Sequence, residues 1–493
     1  MSELSARLTS QFGRRQTLAG LWGLAALCAG LLVAGLPLTY SLAALAGVGL
    51  AAVSLWEPAI GIGLAIVLGP AKALLSVSYP AWPSDLGQLF LALAAAGWLA
   101  RGLAQRRVTI PGAAVLLPLG LYVGVGLFSL LPATSLEDGL KEALKWAEIG
   151  LGLVIVLSEA ERGRLPWVVG AILVAGLGQA AIGIWEYRFR GTGPATFLVS
   201  DGIYRAYGTF EQPNPYGGFL GLIWPVAAGL GIGWLSLWLR RPKVDAPRSA
   251  LVKAGLFFLA TAFMLTGLYV SASRGAWLGA AAAVLAMALF LPRRLWVGVG
   301  LVVAALAAGL GLWQAGLVPA SLTSRLAGVT DFLYVTDVRG ININDANFAL
   351  VERLAHWQAG ESLFALHPWL GVGLGNYAAA YPAVSLLNWP NALGHAHNIY
   401  LNAGAETGVV GLLAYLLLWG WVIALTIRVL NRTRGVERGL ALGLLGAWAH
   451  LSAHQIVDDL YVDNIHILIA ALLALLVYLA QDSARRRSAP GTI

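Results

Sequence analysis

Three residues combine a reactive chemical type with a costly position. Arg205 lies in YRAYGTFEQPNPYGGFLG just before a long apolar run, Arg274 in SASRGAWLG between two such runs, and His397 in GHAHNIYLNAGAETGVVG at the start of another. Arginine stays charged and presents a planar fork to oxyanions, whereas imidazole exchanges protons near neutrality. A charge at the end of an apolar run therefore marks a candidate site, although arginine also serves there as a snorkelling anchor. Other devices are missing. None of the five lysines follows a glycine, so there is no GxxxxGK[ST] loop, and neither Asp-x-Asp nor His-Glu-x-x-His occurs. The single cysteine, Cys28, can form neither a disulfide nor a thiolate cluster within one chain. These absences argue for chemistry without a metal or cofactor.

The elements that must position these residues are membrane helices. Of 493 residues, 58% are hydrophobic and 11% charged, against about 45–50% and about 25% in soluble domains. The 60 glycines and 19 tryptophans suit close helix packing and interfacial anchoring. Apolar runs fall near 18–36, 41–56, 58–77, 86–100, 112–131, 140–157, 165–187, 216–239, 254–271, 274–291, 295–315, 400–427, 439–456 and 464–481. The second and third are separated only by Glu57 and Pro58, and the sixth carries Lys141, Glu142, Lys145 and Glu148. An all-α polytopic membrane protein of about 12–14 transmembrane helices follows. The net charge of +8 is loop charge that orients helices, not a nucleic-acid patch, because no water-facing domain carries it.

With the N-terminus in the cytoplasm, 22 of the 32 basic residues fall on inner loops, which satisfies the positive-inside rule and puts both termini inside. The chain then divides into a bundle over 1–315 with Arg205 and Arg274 at its outer boundary, an extracytoplasmic loop over 316–397, C-terminal spans over 398–481 and a cytoplasmic tail over 482–493. In the loop, NFALVERLAHWQAGESLFAL sets Leu350, Leu354, Trp357 and Phe364 on one face, as an amphipathic helix resting at the interface does.

RAYGTFEQPNPYG, SRGAWLG, ERLAHW, HPWLGVGLGNY and HAHNIYLNAGAETGVVGLL together resemble the O-antigen ligase and polymerase superfamily of bacterial membrane glycosyltransferases. The most specific part is His397-Asn398 followed, after nine residues, by Gly408 and Gly411. The resemblance spans roughly Tyr204 to Tyr415. It implies a GT-C-like fold in the bacterial inner membrane and an inverting, metal-independent transfer of a glycan from undecaprenyl diphosphate to an acceptor hydroxyl at the outer face. It further implies that Arg205 and Arg274 clamp the diphosphate and that His397 takes the acceptor proton or positions the reacting groups. The acceptor, whether a glycolipid core, another lipid-linked glycan or a protein hydroxyl, stays open, as does the oligomeric state. A transporter, either a lipid-linked sugar flippase or a small-anion permease, is the alternative, and a noncatalytic assembly scaffold is a third reading.

Further contributors are His395, two residues from His397, together with Asn214, Asn398, His454 and Asp458. His450, His454 and Asp458 recur every four residues and read first as a hydrogen-bonded stripe inside the bundle, with a relay, a metal site or, with Asp459 and Asp463, an acceptor contact as rivals. Glu352 and Arg353 read as structural, the GxGxG run at Gly371, Gly373 and Gly375 as a flexible turn, and Gly217 and Gly221 as a small-residue packing face. The orientation is directly testable. In a Cys28→Ser background, cysteines placed in 316–395 should react with an impermeant reagent added outside intact spheroplasts; reaction only after permeabilisation would reverse the topology.

Overall fold

A computed structural model describes residues 38–80, 85–200, 202–240, 248–318, 323, 335, 337–344 and 347–488. The first apolar run with Cys28, parts of the long loop and the last five residues lie outside the described residues. The helices, in order, are α1 (Leu38–Trp56), α2 (Pro58–Leu68), α3 (Lys72–Ser78), α4 (Leu86–Ala104), α5 (Ala113–Ser129), α6 (Leu136–Glu161), α7 (Leu165–Trp185) and α8 (Pro213–Arg240). They continue as α9 (Arg248–Val270), α10 (Arg274–Phe290), α11 (Leu295–Gln314), α12 (Phe348–Leu366), the single turn α13 (Tyr377–Ala380), α14 (Ile399–Arg432), α15 (Gly435–His454) and α16 (Ile465–Ser488). One short hairpin, β1 (Leu198–Ser200) with β2 (Ile203–Tyr204), is the only named sheet among them. Helix is the expected solution in a bilayer, where backbone groups find no water. Among the described residues, eight helical stretches are long and apolar enough to cross a membrane.

The bundle is layered by side-chain size. α8 and α16 run through the interior, with Trp224, Leu222 and Leu472 buried, while α11 buries only Gly298. α6 leaves Glu137, Asp138 and Lys141 exposed but carries Glu142, Lys145 and Glu148 into the bundle. Glu148 meets His466 of α16 at 2.7 Å, and Lys145 pairs with Glu142 and donates to the Tyr461 carbonyl. The run at 58–77 forms two helices, because the chain turns through Gly69–Ala71 around Pro70. The helix expected to end at 481 continues to Ser488, so most of the 482–493 tail is helical.

Two sets of close approaches fix the parts that matter. The first surrounds the histidine stripe: a Cβ on Gly221 of α8 or Gly279 of α10 would overlap the His450 ring, and one on Gly275 would overlap His454. These glycines form a sleeve in which both rings lie fully buried, His454 Nδ1 3.4 Å from His450 Nε2. The second is a break in α14 at Gly408, whose φ of 64° and ψ of −169° leave the helical path. The segment before α13 closes it: Val372 N–H donates to Ala405 O, Gly373 N–H to Glu406 O and Val409 N–H to Pro368 O. Glu406 itself accepts from Gly375 N–H at 2.9 Å and Tyr377 N–H at 3.2 Å. The GxGxG run is therefore not a flexible turn. It has positive φ at all three glycines, and a Cβ would strike the break at Glu406–Thr407 from Gly371, Ala133 from Gly373, and Asp138 and Glu142 from Gly375.

α12 also differs from its expected orientation. Its buried residues are Val351, Ala355, His356, Ala359, Gly360 and Leu363, not the larger Leu350, Leu354, Trp357 and Phe364, which are only partly covered. Small residues face inward because the helix packs against the first half of α14, where Phe364 reaches Gly404. Gly221→Ala should lower folding stability by about 1–3 kcal/mol, the usual cost of overpacking, with a matching loss of monodisperse protein on size exclusion. Gly221→Ser combined with His450→Ala should recover most of that loss.

Candidate active site

Each cation is set by backbone geometry. The β1–β2 hairpin delivers Arg205: its N–H bonds Phe197 O, and the next residue, Ala206, bonds Val270 O at the end of α9. Glu186 at the end of α7 fixes the following turn by accepting Tyr207 N–H and Gly208 N–H. The Arg205 guanidinium then donates from Nε to Ser271 O at 3.0 Å and from Nη2 to Asn214 Oδ1 at 3.3 Å. Asn214 thus orients Arg205 from the first turn of α8. Arg274 is the first residue of α10, where the Ser273 hydroxyl accepts Ala276 N–H and caps the helix.

The structure adds a third arginine. Arg353, read from the sequence as structural, donates from Nε to Val457 O at 3.3 Å and from Nη1 to Ala349 O at 2.7 Å. Its guanidinium joins Arg205, Asn214, Arg274, Leu278 and Asp458 around a cavity of about 340 Å³ whose remaining walls are largely apolar. Glu352 is not among the residues lining it. The signal missed in the sequence was the spacing of Ala349 and Arg353, one helical turn apart, which turns the arginine back along its own helix.

His397 stands before α14, not on it. Its φ of 52° places a non-glycine residue in the left-handed region, and Asn398 caps the helix by accepting Tyr400 N–H and Leu401 N–H. His395 and His397 therefore do not diverge on a helix. His397 N–H donates to His395 Nδ1 at 3.0 Å, and the two rings meet edge to face at 4.5 Å. Trp357 Nε1–H donates to the His397 carbonyl. His397 Nδ1 lies 3.7 Å from Asp458 Oδ1, just beyond hydrogen-bond length. Asp458 falls after the end of α15, so it leaves the line of His450 and His454 and joins His397 instead. His454 stays in its glycine sleeve, outside the lining of the cavity.

Burial pulls His395 below its ordinary value, with the Asp459 charge opposing that shift, and its Nδ1 accepts the His397 N–H. For Asp458 burial pushes upward, and the neighbouring His397 imidazole, with His395, Arg353 and His454, outweighs it, holding the carboxyl below its usual range. The ligand atoms of His395, His397 and Asp458 lie within 4.8 Å of one another. Two imidazoles and a carboxylate form a donor set that zinc accepts, a grouping spread over 63 positions of the linear sequence.

Cavity and bundle define a multi-pass membrane protein whose basic pocket ends at an imidazole–carboxylate pair. Residues 259–416 match the family described as O-antigen ligase, which supports membership of the O-antigen ligase and polymerase superfamily. The match covers about a third of the chain and includes Arg274, Arg353, His395 and His397, whereas Arg205, Asn214 and Asp458 lie outside it. No curated protein matches the sequence. Over residues 259–416 the chain is similar to the O-antigen ligase family, and its long apolar helices make it a multi-pass membrane protein.

His356, in α12 beneath His397, is lowered to about 4, chiefly by burial and then by the charges of His397 and His395. A histidine held neutral in the folded state contributes stability that is full above its unfolded value near 6.5 and is lost as pH falls through about 4. The melting temperature should accordingly decline on acidification across that window. His356→Asn, which retains a partner for Tyr377 Oη, should flatten the decline; an unchanged slope would assign the loss to other groups.

Proposed function

We propose that this protein transfers a glycan from undecaprenyl diphosphate to an acceptor hydroxyl at the outer face of the inner membrane, with inversion and without a metal. The observation that carries this reading is the convergence of Arg205, Arg274 and Arg353 on a largely apolar cavity that ends at Asp458 beside His397. The apolar walls suit a polyprenyl chain, and the guanidinium forks suit its diphosphate. Arg205 and Arg353 are fixed by carbonyls before substrate arrives, so they need little reorganisation when charge develops on the leaving group.

In the proposed step, His397 accepts the proton of the acceptor hydroxyl, and the oxygen's electron pair forms a bond to the anomeric carbon. The bond from that carbon to the diphosphate oxygen breaks on the opposite face, and its electron pair leaves with the diphosphate, which the arginines hold. Asp458 orients the imidazole and stabilises the cation it becomes. Asn214 and Asn398 act through Arg205 and the start of α14 as positioning residues. Incoming hydroxyl and outgoing diphosphate on opposite sides of the anomeric carbon give inversion.

Purified protein in nanodiscs, supplied with a defined undecaprenyl-diphosphate oligosaccharide and separately with lipid A core, a second lipid-linked glycan or a protein acceptor, should form one glycosylated product. Replacing any of the three arginines by Ala should weaken donor capture and turnover about tenfold to a hundredfold, given about 1.5–3 kcal/mol per charge-assisted contact. His397→Ala should spare donor binding and cut turnover by about 10² to 10⁴, and chelation should leave the rate unchanged. Chelator-sensitive turnover would instead make His395, His397 and Asp458 a metal centre. Movement of the intact lipid-linked sugar across the bilayer with no product would replace the transferase with a flippase.

A further inference from the structure

We infer that a second cavity, bordered by His395 where the first is bordered by Asp458, seats the acceptor as a neutral sugar ring presenting hydroxyls. This rests on the transferase reading above. The cavity holds about 330 Å³ and is lined by Glu142, Lys145, Trp146, His395, Asp459 and Tyr461 among others. That volume is near the lower end for small-molecule sites, which suits the terminal sugar of an acceptor.

Its place relative to the first cavity follows from neighbouring residues. His395 lines this cavity, Asp458 lines the arginine cavity, and His397 adjoins both, 4.5 Å from the His395 ring and 3.7 Å from the Asp458 carboxylate. The consecutive residues Asp458 and Asp459 separate in the same way, one to each cavity, with Asp459 N–H bonded to Asp458 Oδ1. A hydroxyl arriving through the second cavity would reach the imidazole without crossing the space that holds the diphosphate. Its proton would pass to His397 and its oxygen to the anomeric carbon, while the carbon–diphosphate bond breaks on the arginine side.

The lining chemistry separates the two substrates. No arginine lines this cavity, and its lysine is engaged by Glu142 and by Tyr461 O. Carboxylates of Glu142 and Asp459 accept hydroxyl protons and repel a diphosphate. Trp146 packs against Tyr122 and Tyr461 with ring centroids 4.5 and 4.6 Å away, giving the cavity a rigid, mostly buried aromatic wall beside its carboxylates. Glu406 also reaches the wall, but its two oxygens are used by Gly375 and Tyr377 N–H, so it shapes the cavity and is not counted as a contact.

The test uses the full chain in nanodiscs, with an undecaprenyl-diphosphate oligosaccharide as donor and rough-type lipopolysaccharide or a second lipid-linked glycan as acceptor. Asp459→Asn and Glu142→Gln should raise the acceptor KM by about tenfold or more while leaving the donor KM within about twofold; Arg205→Ala should do the reverse. A second arm needs no turnover. In a Cys28→Ser background, Leu393→Cys places a thiol in the second cavity and Leu278→Cys one in the first. Acceptor oligosaccharide should slow maleimide labelling at 393, and donor should slow it at 278. Protection of 393 by donor alone, or a rise in donor KM in the two carboxylate variants, would overturn the assignment while leaving the transferase intact. Protection of 393 by acceptor sugar in a protein that transfers nothing would sink the transferase and leave the sugar site standing.

Discussion

The break in α14 at Gly408 is the constraint on which the site depends. A helix interrupted within a membrane protein leaves carbonyls and amides that water cannot satisfy at low cost, and here the chain before α13 satisfies them. Val372 and Gly373 donate across the break, Val409 donates back, and the Glu406 carboxylate gathers two more amides. These bonds hold the first half of α14 at a fixed angle to the second. Because His397 and its cap Asn398 open that first half, the break sets where the imidazole stands relative to Asp458. The same segment packs against α12, so Arg353 and Trp357 are positioned by the constraint that positions His397.

A second principle governs the charges. Arg205 and Arg353 are fastened by backbone carbonyls from Ser271, Val457 and Ala349. A carbonyl orients a guanidinium without cancelling its charge, whereas a carboxylate would do both. Among the described residues, Glu142 and Asp459 line the second cavity, and Asp458 lines the arginine cavity beside His397. Opposite potentials therefore stand about one histidine pair apart, which gives an anionic substrate and a neutral one separate places to bind.

Glycine sets the spacing beneath this surface. Gly221, Gly275 and Gly279 let α8 and α10 close around His450 and His454, and Gly229 of α8 meets the backbone of α15 near Gly439 and Gly443. In a bilayer such contacts depend on small residues, since apolar side chains gain little by leaving lipid for one another. The result is a rigid base under Asp458, built from residues that take no part in the chemistry.

Composition and periodicity by themselves determined that this chain is a helical membrane protein, and most of its helices fall where apolar runs occur, because the bilayer imposes that pattern residue by residue. The motifs around Arg205, Arg274 and His397 were legible for a similar reason: a charge or imidazole beside an apolar run is conspicuous in one dimension. The tertiary structure decided what those residues meet. Arg353 read as structural, and only the approach of α12 to Val457 turned it into a wall of the cavity. Asp458 looked like the end of a helical stripe, and the end of α15 at His454 moved it to His397. Glu142, Lys145 and Asp459 were visible as charges in or near spans, but their common cavity joins α6 to the segment after α15, more than 300 positions apart. Local sequence encodes helix, cap and turn; it does not encode which distant carboxylate arrives beside which imidazole, because packing between helices sets that distance.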